Sequence, residues 1–476
     1  MPTNKLDLLI EDDTPGLTAT VLFDYTNVHH NDEATVVAML SITAPEVDIK
    51  NKRSPLNIVA TIDVSTSMGG EKIRNAKESL KKMIEYLGPD DRLAVIAFHS
   101  SVFMVFDSDY MTGPNKNKAT IAVDKLQATG WTNFSGALLQ SFETMKKYEG
   151  KRGSVNRIIF FSDGDPTTGE CDPVKILDML DKAKIPEISL STFGYGKDYD
   201  PELLGEMSKR GDGGHYLVEN IEDCAAMFGT ELGGLLSTYS QNLKVEVDLA
   251  EGVQLVEYMD TVYDVDDNVV TMPDILGGET KHMLVKVKLP KKTRAVCARP
   301  SRVIDFKVVY DDVGQARRRT VEERGQIQFV RKKGDVQTDP HPEVLEQIQV
   351  TEAGRTLERA RTLADAGNLD LAREVVEAYV VSNDLGSNRY GEHIAADMNF
   401  LADNMDNDRQ YRRVTRRRLV GSSHTYSTRR ASAVADALFL NEAQTATRGL
   451  FVGDSGDAPD PDVSVTSDST TSDSSE

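Results

Sequence analysis

Leu56-Asn57-Ile58-Val59-Ala60-Thr61-Ile62-Asp63-Val64-Ser65-Thr66-Ser67 joins a largely apolar run, interrupted at Asn57, to an acid and two hydroxyls at alternate positions. An apolar run of this kind is what a strand buried on both faces requires. Residues 71–87 follow with Ile73, Ala76, Leu80, Met83, Ile84 and Leu87 on one helical stripe. The same alternation continues to about residue 237. Strands are predicted at 93–98, 157–162, 188–193 and 215–218, with 102–106 as a hairpin partner of the first. Helices are predicted at 116–127, 135–148, 173–183, 201–209 and 222–236. Strands alternating with helices imply a doubly wound, mostly parallel α/β sheet covered on both faces.

Outside this block the pattern changes. Residues 17–50 read as two antiparallel strands, and 240–332 as further strands with turn residues between them. The α/β domain, 54–238, is therefore expected to sit inserted in an antiparallel β-sandwich built from the two flanks. Residues 341–407 read as helical, with a hairpin about Gly367-Asn368, and 408–452 as an arginine-rich helical segment. Residues 1–16 and the Ser/Thr/Asp-rich tail 453–476 are expected to be disordered.

Composition narrows the function classes. The 476 residues carry a net charge of −21, which disfavours a general nucleic-acid binder. No run of about 18 apolar residues suggests a membrane span. The first residues lack a basic stretch followed by an apolar one, so the expected location is cytoplasmic. Three scattered cysteines, Cys171, Cys224 and Cys297, suit reduced thiols better than a disulfide framework or a four-cysteine zinc site.

In an open doubly wound sheet, ligands sit beyond the carboxyl ends of the strands. Three such ends carry oxygen donors: Asp63, Ser65 and Ser67 after the first strand, Thr132 in Gly130-Trp131-Thr132-Asn133, and Asp163 in Asp163-Gly164-Asp165. With no His or Cys among them, they suit a hard divalent cation, Mg²⁺ first, with Mn²⁺ or Ca²⁺ as alternatives.

Asp63-x-Ser65-x-Ser67, then Thr132, then Asp163 resembles the metal-ion-dependent adhesion site of the von Willebrand factor type A domain. Asp91-Arg92-Leu93 and Thr192-Phe193-Gly194-Tyr195-Gly196 fit the same context, and the likeness spans about residues 56–237. Among subgroups it is most similar to the calcium-activated-chloride-channel-like, inter-alpha-inhibitor heavy-chain-like and plant RING-bearing type A proteins. A RING needs more cysteines than this chain has, so ligase activity is not carried over. Thr66 and Trp131 stand where the family commonly has glycine, and neither change removes a ligand. The resemblance implies binding rather than turnover. One cation would be held by Asp63, Ser65, Ser67, Thr132 and Asp163, and an exposed Asp or Glu of a protein partner would complete it.

Other features have plainer readings. Asp163 and Asp165 could form an acid/base couple, but no nucleophile–histidine pair accompanies them, so an enzyme is disfavoured. His99 and His215, each next to a strand, read as structural or surface histidines and not as ligands. Asn133-Phe134-Ser135 matches a glycosylation sequon that has meaning only in a secreted chain. Residues 409–430 hold eight arginines and no acid. With only Tyr411 and Tyr426 as aromatics, an acidic protein surface or the chain's own tail is a better partner than nucleic acid. A second functional reading is an accessory subunit of an ATPase or chelatase-type complex. It requires a separate ATPase, because no Gly-rich phosphate loop with Lys-Ser/Thr occurs here.

Overall fold

The computed structural model describes residues 15–47, 53–148, 153–185, 187–196, 201–218, 221–260, 264–383, 385–386, 389–405, 407, 410–431 and 434–452. The two termini expected to be disordered lie outside these residues, apart from Pro15 and Gly16.

The central α/β unit runs β1 (Leu56–Asp63), α1 (Glu71–Tyr86), β2 (Arg92–Phe98), β3 (Val102–Tyr110), α2 (Gly113–Asp124), α3 (Phe134–Lys147), β4 (Val155–Ser162), α4 (Pro173–Ala183), β5 (Ile188–Tyr195), α5 (Pro201–Arg210), β6 (Asp212–Val218) and α6 (Ile221–Leu236). Its sheet has the order β3-β2-β1-β4-β5-β6, with every pairing parallel except β2 with β3. All eight residues of β1 are buried. Alternate side chains serve opposite faces: Ile58, Ala60 and Ile62 pack in one core with α1 and α6, and Val59 packs in the other with α3 and α4. The central strands therefore read as largely apolar runs. At the base of β1, Arg53 grips Asp91 through both guanidinium nitrogens, at 2.7 and 2.5 Å, and the same carboxylate accepts the Leu56 N–H at 2.8 Å.

Two further sheets share one core. In the first, the strand Ala34–Thr43, before the α/β unit in sequence, pairs antiparallel with Thr280–Leu289, after it. Thr18–Phe23 and Gln254–Tyr258 form the outer strands of this sheet. The second is built mainly on Thr238–Leu249, Ser301–Asp312 and Arg317–Val330. A buried polar network ties the α/β unit to this second layer. Arg157 on β4 donates to Ser191 at 3.2 Å and lies 3.5 Å from Asp274, while Ser191 and Tyr216 each donate to Glu231 at 2.7 Å.

The C-terminal part contains α7 (Pro342–Asp365), α8 (Leu369–Ser382), α9 (Gly391–Asp403), α10 (Arg416–Thr428) and α11 (Glu442–Val452). Gly367, at φ +86°, makes the turn between α7 and α8. Gly229 and Gly233 on α6 let the backbone of α11 approach closely. A Cβ on either would lie 2.7 Å from Arg448 Cα or 2.6 Å from Gln444 Cα. Among the described residues no helix is long and apolar enough to cross a membrane.

Candidate functional site

The C-terminal ends of β1 and β4 are adjacent in the sheet, so the loops that leave them share one crevice. Asp63 is fully buried at the end of β1. Its Oδ1 accepts the Ser65 N–H at 2.8 Å and its Oδ2 accepts the Ser162 hydroxyl at 2.6 Å. The chain then turns through one short helical turn, Thr66–Met68, with Met68 buried as its anchor. That turn aims Ser65 and Ser67 to the same side, with their hydroxyl oxygens 3.0 Å apart. Ser67 donates in turn to Oδ1 of Asp163 at 2.9 Å. Asp63, Ser65, Ser67 and Asp163 are thus joined in one hydrogen-bonded cluster.

Thr132 arrives from a third loop. Thr129 N–H donates to Val64 O at 2.7 Å, and Thr66 donates to Gly130 O through both N–H and hydroxyl, at 3.1 and 3.0 Å. These bonds lace the Thr132 loop to the serine loop. Thr132 itself is buried, with its N–H held by the Thr167 hydroxyl at 2.8 Å. Asn133 caps α3 by accepting the Gly136 N–H at 3.0 Å.

The two acids of the cluster sit in different electrostatic surroundings. Burial pushes the Asp63 carboxyl up to about 6, against the hydrogen bonds from Ser162 and Ser65, and the Asp163 charge adds to the rise. Asp163 is also buried, and its Oδ2 holds the ammonium of Lys72 at 2.5 Å. Two carboxylates and the Ser65 and Ser67 hydroxyls, with no imidazole or thiolate, fit a hard divalent ion. No group of three or more His, Cys, Asp or Glu side chains suited to a metal occurs among the described residues. A cation here would thus depend on hydroxyl oxygens as well as the two acids.

Asp165 is exposed while Asp163 is buried, so the two acids occupy different environments. His99 Nδ1 accepts the Ser101 N–H at 3.0 Å. His215 is buried, with Nδ1 2.9 Å from the Thr192 hydroxyl. Sequence reasoning missed Ser162 and Lys72. A basic residue in the first turn of α1, where the helix dipole disfavours it, was the available signal for Lys72.

The arginine-rich stretch meets acids and carbonyls of its own chain. Arg416 lies 2.6 Å from Glu202 and 3.0 Å from Asp365, and Arg418 lies 2.9 Å from Asp397. Arg417 donates to Gly196 O at 2.8 Å, and Arg429 lies 3.2 Å from Asp260. The acidic tail considered as its partner lies outside the described residues.

Residues 57–228 match the family model of the von Willebrand factor type A domain. The chain is 27% identical over 213 residues to the uncharacterized protein YfbK of Escherichia coli, covering 44% of this chain and 36% of that one. It is 33% identical over 168 residues to inter-alpha-trypsin inhibitor heavy chain H4 of Bos taurus, covering 33% of this chain and 18% of that one. The chain thus spans about a third or less of these relatives' length. A solved von Willebrand factor type A structure from Catenulispora acidiphila superposes with a TM-score of 0.64 at 16% identity, over 81% of this chain and 88% of that one. At that identity the likeness shows the fold.

Proposed function

We propose that the von Willebrand factor type A domain at residues 57–228 of this chain is a cation-dependent protein-binding module, and that the chain is an adaptor rather than an enzyme. The observation that carries this reading is the cluster itself. Two buried carboxylates and the Ser65 and Ser67 hydroxyls are bonded into one group at the sheet's carboxyl edge, beside the laced Thr132 loop.

Asp63, Ser65, Ser67, Thr132 and Asp163 would hold the ion, with Mg²⁺ the first expectation. When bound, a divalent cation supplies an electrophile that a partner's carboxylate can complete. The protein's part is preorganisation. Ser162 fixes one oxygen of Asp63 and the Ser65 N–H fixes the other. The neutral hydroxyls leave the site short of negative charge, so an anionic ligand is favoured. The partner is a protein presenting an exposed Asp or Glu. Arg416, Arg417 and Arg418 are engaged within the chain, which supports a protein partner over nucleic acid.

Calorimetry of the full chain with MgCl₂ and MnCl₂ tests the reading. One site per chain is expected, lost in Asp63→Ala with unchanged circular dichroism. Absence of binding by the folded wild type, or equal binding by the variant, overturns it.

A further inference from the structure

The chain's single tryptophan, Trp131, is 67% exposed and directly precedes Thr132. A large apolar ring in water is notable where it adjoins a binding site, since such rings dominate the energetics of interfaces. Its exposure is imposed by the backbone. Trp131 N–H donates to the Ser100 hydroxyl at 3.0 Å, and Asn133 N–H donates to His99 O at 3.0 Å. Gly130, at φ +76°, makes the turn that points the next residue outward. A Cβ on Gly130 would sit 3.0 Å from the Ser100 hydroxyl and 3.4 Å from His99 Cβ, so the loop rests on the start of the β2–β3 hairpin.

That hairpin continues the aromatic surface. The His99 ring lies 5.4 Å from the Phe103 ring, and Phe103 is 39% exposed. The His99–Phe103 pair thus stands at the start of the hairpin on which the Trp131 loop rests, just past the residue of β2 that pairs with Asp63. The opposite side of the Thr132 loop is polar, through Thr167 and Thr168. The backbone of the Trp131 loop is pinned, so little backbone ordering entropy is lost when it is covered.

Charge supplies the second argument. With −21 on the whole chain, an acidic partner is repelled at long range. Affinity must come from short-range contacts, and the only large apolar group adjoining Thr132 in sequence is Trp131. Trp131 adjoins Thr132, and consecutive Cα atoms are about 3.8 Å apart, so a partner acid that reaches the cation brings its neighbouring residues close to the indole.

We propose that Trp131, with His99 and Phe103, forms a specificity rim, and that the partner segment carries its acidic residue within two positions of a large aromatic or branched aliphatic one. This inference rests on the cation-dependent reading of the site. It adds which acidic segments are accepted.

The test pans a phage-displayed library of random dodecapeptides against the full chain in MnCl₂, with elution by EDTA. Wild type is expected to enrich Asp or Glu with Phe, Trp, Leu or Ile within two positions. Trp131→Ala is expected to keep the acid and lose the apolar neighbour, while Trp131→Phe keeps both. A selected peptide lacking tryptophan, added with MgCl₂, is expected to shift the indole emission to the blue, and all of that emission comes from Trp131. Its affinity is expected to fall at least about tenfold in Trp131→Ala. An acid enriched without an apolar neighbour, or the same motif from Trp131→Ala, overturns the rim alone. No EDTA-eluted peptides from wild type overturns the site reading and the rim together.

Discussion

Lys72 Nζ lies 2.5 Å from Asp163 Oδ2, so a basic side chain of α1 already neutralises one acid of the candidate cation site. Gly196 leaves room for the lysine chain, since a Cβ there would lie 2.8 Å from Lys72 Cε. Arg417 of α10 donates to the carbonyl of that same glycine at 2.8 Å. A contiguous set of contacts thus runs from the arginine-rich helix to the cluster.

A divalent ion at the cluster must share Asp163 with this ammonium or displace it. A unit charge a few Å away still counts for some kcal/mol at an effective dielectric of about 20. Lys72→Met is expected to tighten Mg²⁺ and Mn²⁺ binding by about tenfold in calorimetry. The same variant is expected to melt lower than wild type without metal, because Asp163 loses its counter-charge. Weaker metal binding by Lys72→Met would show the lysine to be a supporting residue and not a competitor.

Ser162 bears on the other acid. Its hydroxyl, 2.6 Å from Oδ2, orients a fully buried carboxylate. Removing a hydrogen bond to a buried charged group costs about 1.5–3 kcal/mol. Ser162→Ala is expected to lose that much stability in guanidinium unfolding when EDTA is present. It is also expected to bind Mg²⁺ about tenfold more weakly than wild type. Unchanged values of both would mean that Asp63 is positioned by the backbone alone.

Much of this arrangement was legible in the chain. The strands β1, β2 and β4 announced themselves because burial on both faces makes them largely apolar, whereas β5 alternates apolar residues with Ser189 and Ser191 and reads as a strand on that pattern. Asp63, Ser65 and Ser67 were visible as a group because one tight turn carries all three, and Asp163 because it ends a neighbouring apolar run. Ser162 was hidden inside that run, where a serine reads as a tolerated core residue. Lys72 was hidden because its partner lies 91 positions away. The outer strand Gln254–Tyr258 carries no clear alternation, because its residues are exposed or half-buried. Residues 341–407 were read around one helical hairpin, whereas Gly391–Asp403 adds a third helix. The fate of the arginines could not be read locally. Their acids, Glu202, Asp260, Asp365 and Asp397, are spread across separate elements.

Glu202 receives two arginines, Arg361 at 2.8 Å and Arg416 at 2.6 Å, and so fastens α10 to α5. The contacts are partly exposed, so each contributes little alone, but the network shares one carboxylate. Glu202→Gln is expected to raise the rate of trypsin cleavage at Arg416, Arg417 and Arg418 by about an order of magnitude, through local opening of the helix. Asp181→Asn, which removes the exposed Arg210 pair, is expected to leave that rate unchanged. Equal rates in both variants would place the docking of α10 in its apolar contacts.

Acid sensitivity follows from two buried histidines. Burial, with His424 adding, lowers His215 to about 3. Burial, with Arg429 and Lys281 adding, lowers His282 to about 3 as well. An unfolded histidine titrates near 6.5, so below that pH the unfolded chain takes up protons that the folded chain refuses. Stability is therefore lost as pH falls from about 6.5 towards 3, at about 1.4 kcal/mol per pH unit for each histidine. Asp63 works in the opposite sense. Its carboxyl is raised from 3.8 to about 6, so the metal-free folded chain gains protons first and recovers about 1.4 kcal/mol per unit in that window. The contribution of these three groups is a net loss of about 1.4 kcal/mol per unit between pH 6 and 4. In guanidinium unfolding at pH 6, 5 and 4 with EDTA, His215→Gln is expected to flatten the profile by about that slope, and Asp63→Asn to steepen it by the same amount. An unchanged slope in His215→Gln would mean that the buried imidazole is charged in the native state, with its proton shared through Thr192.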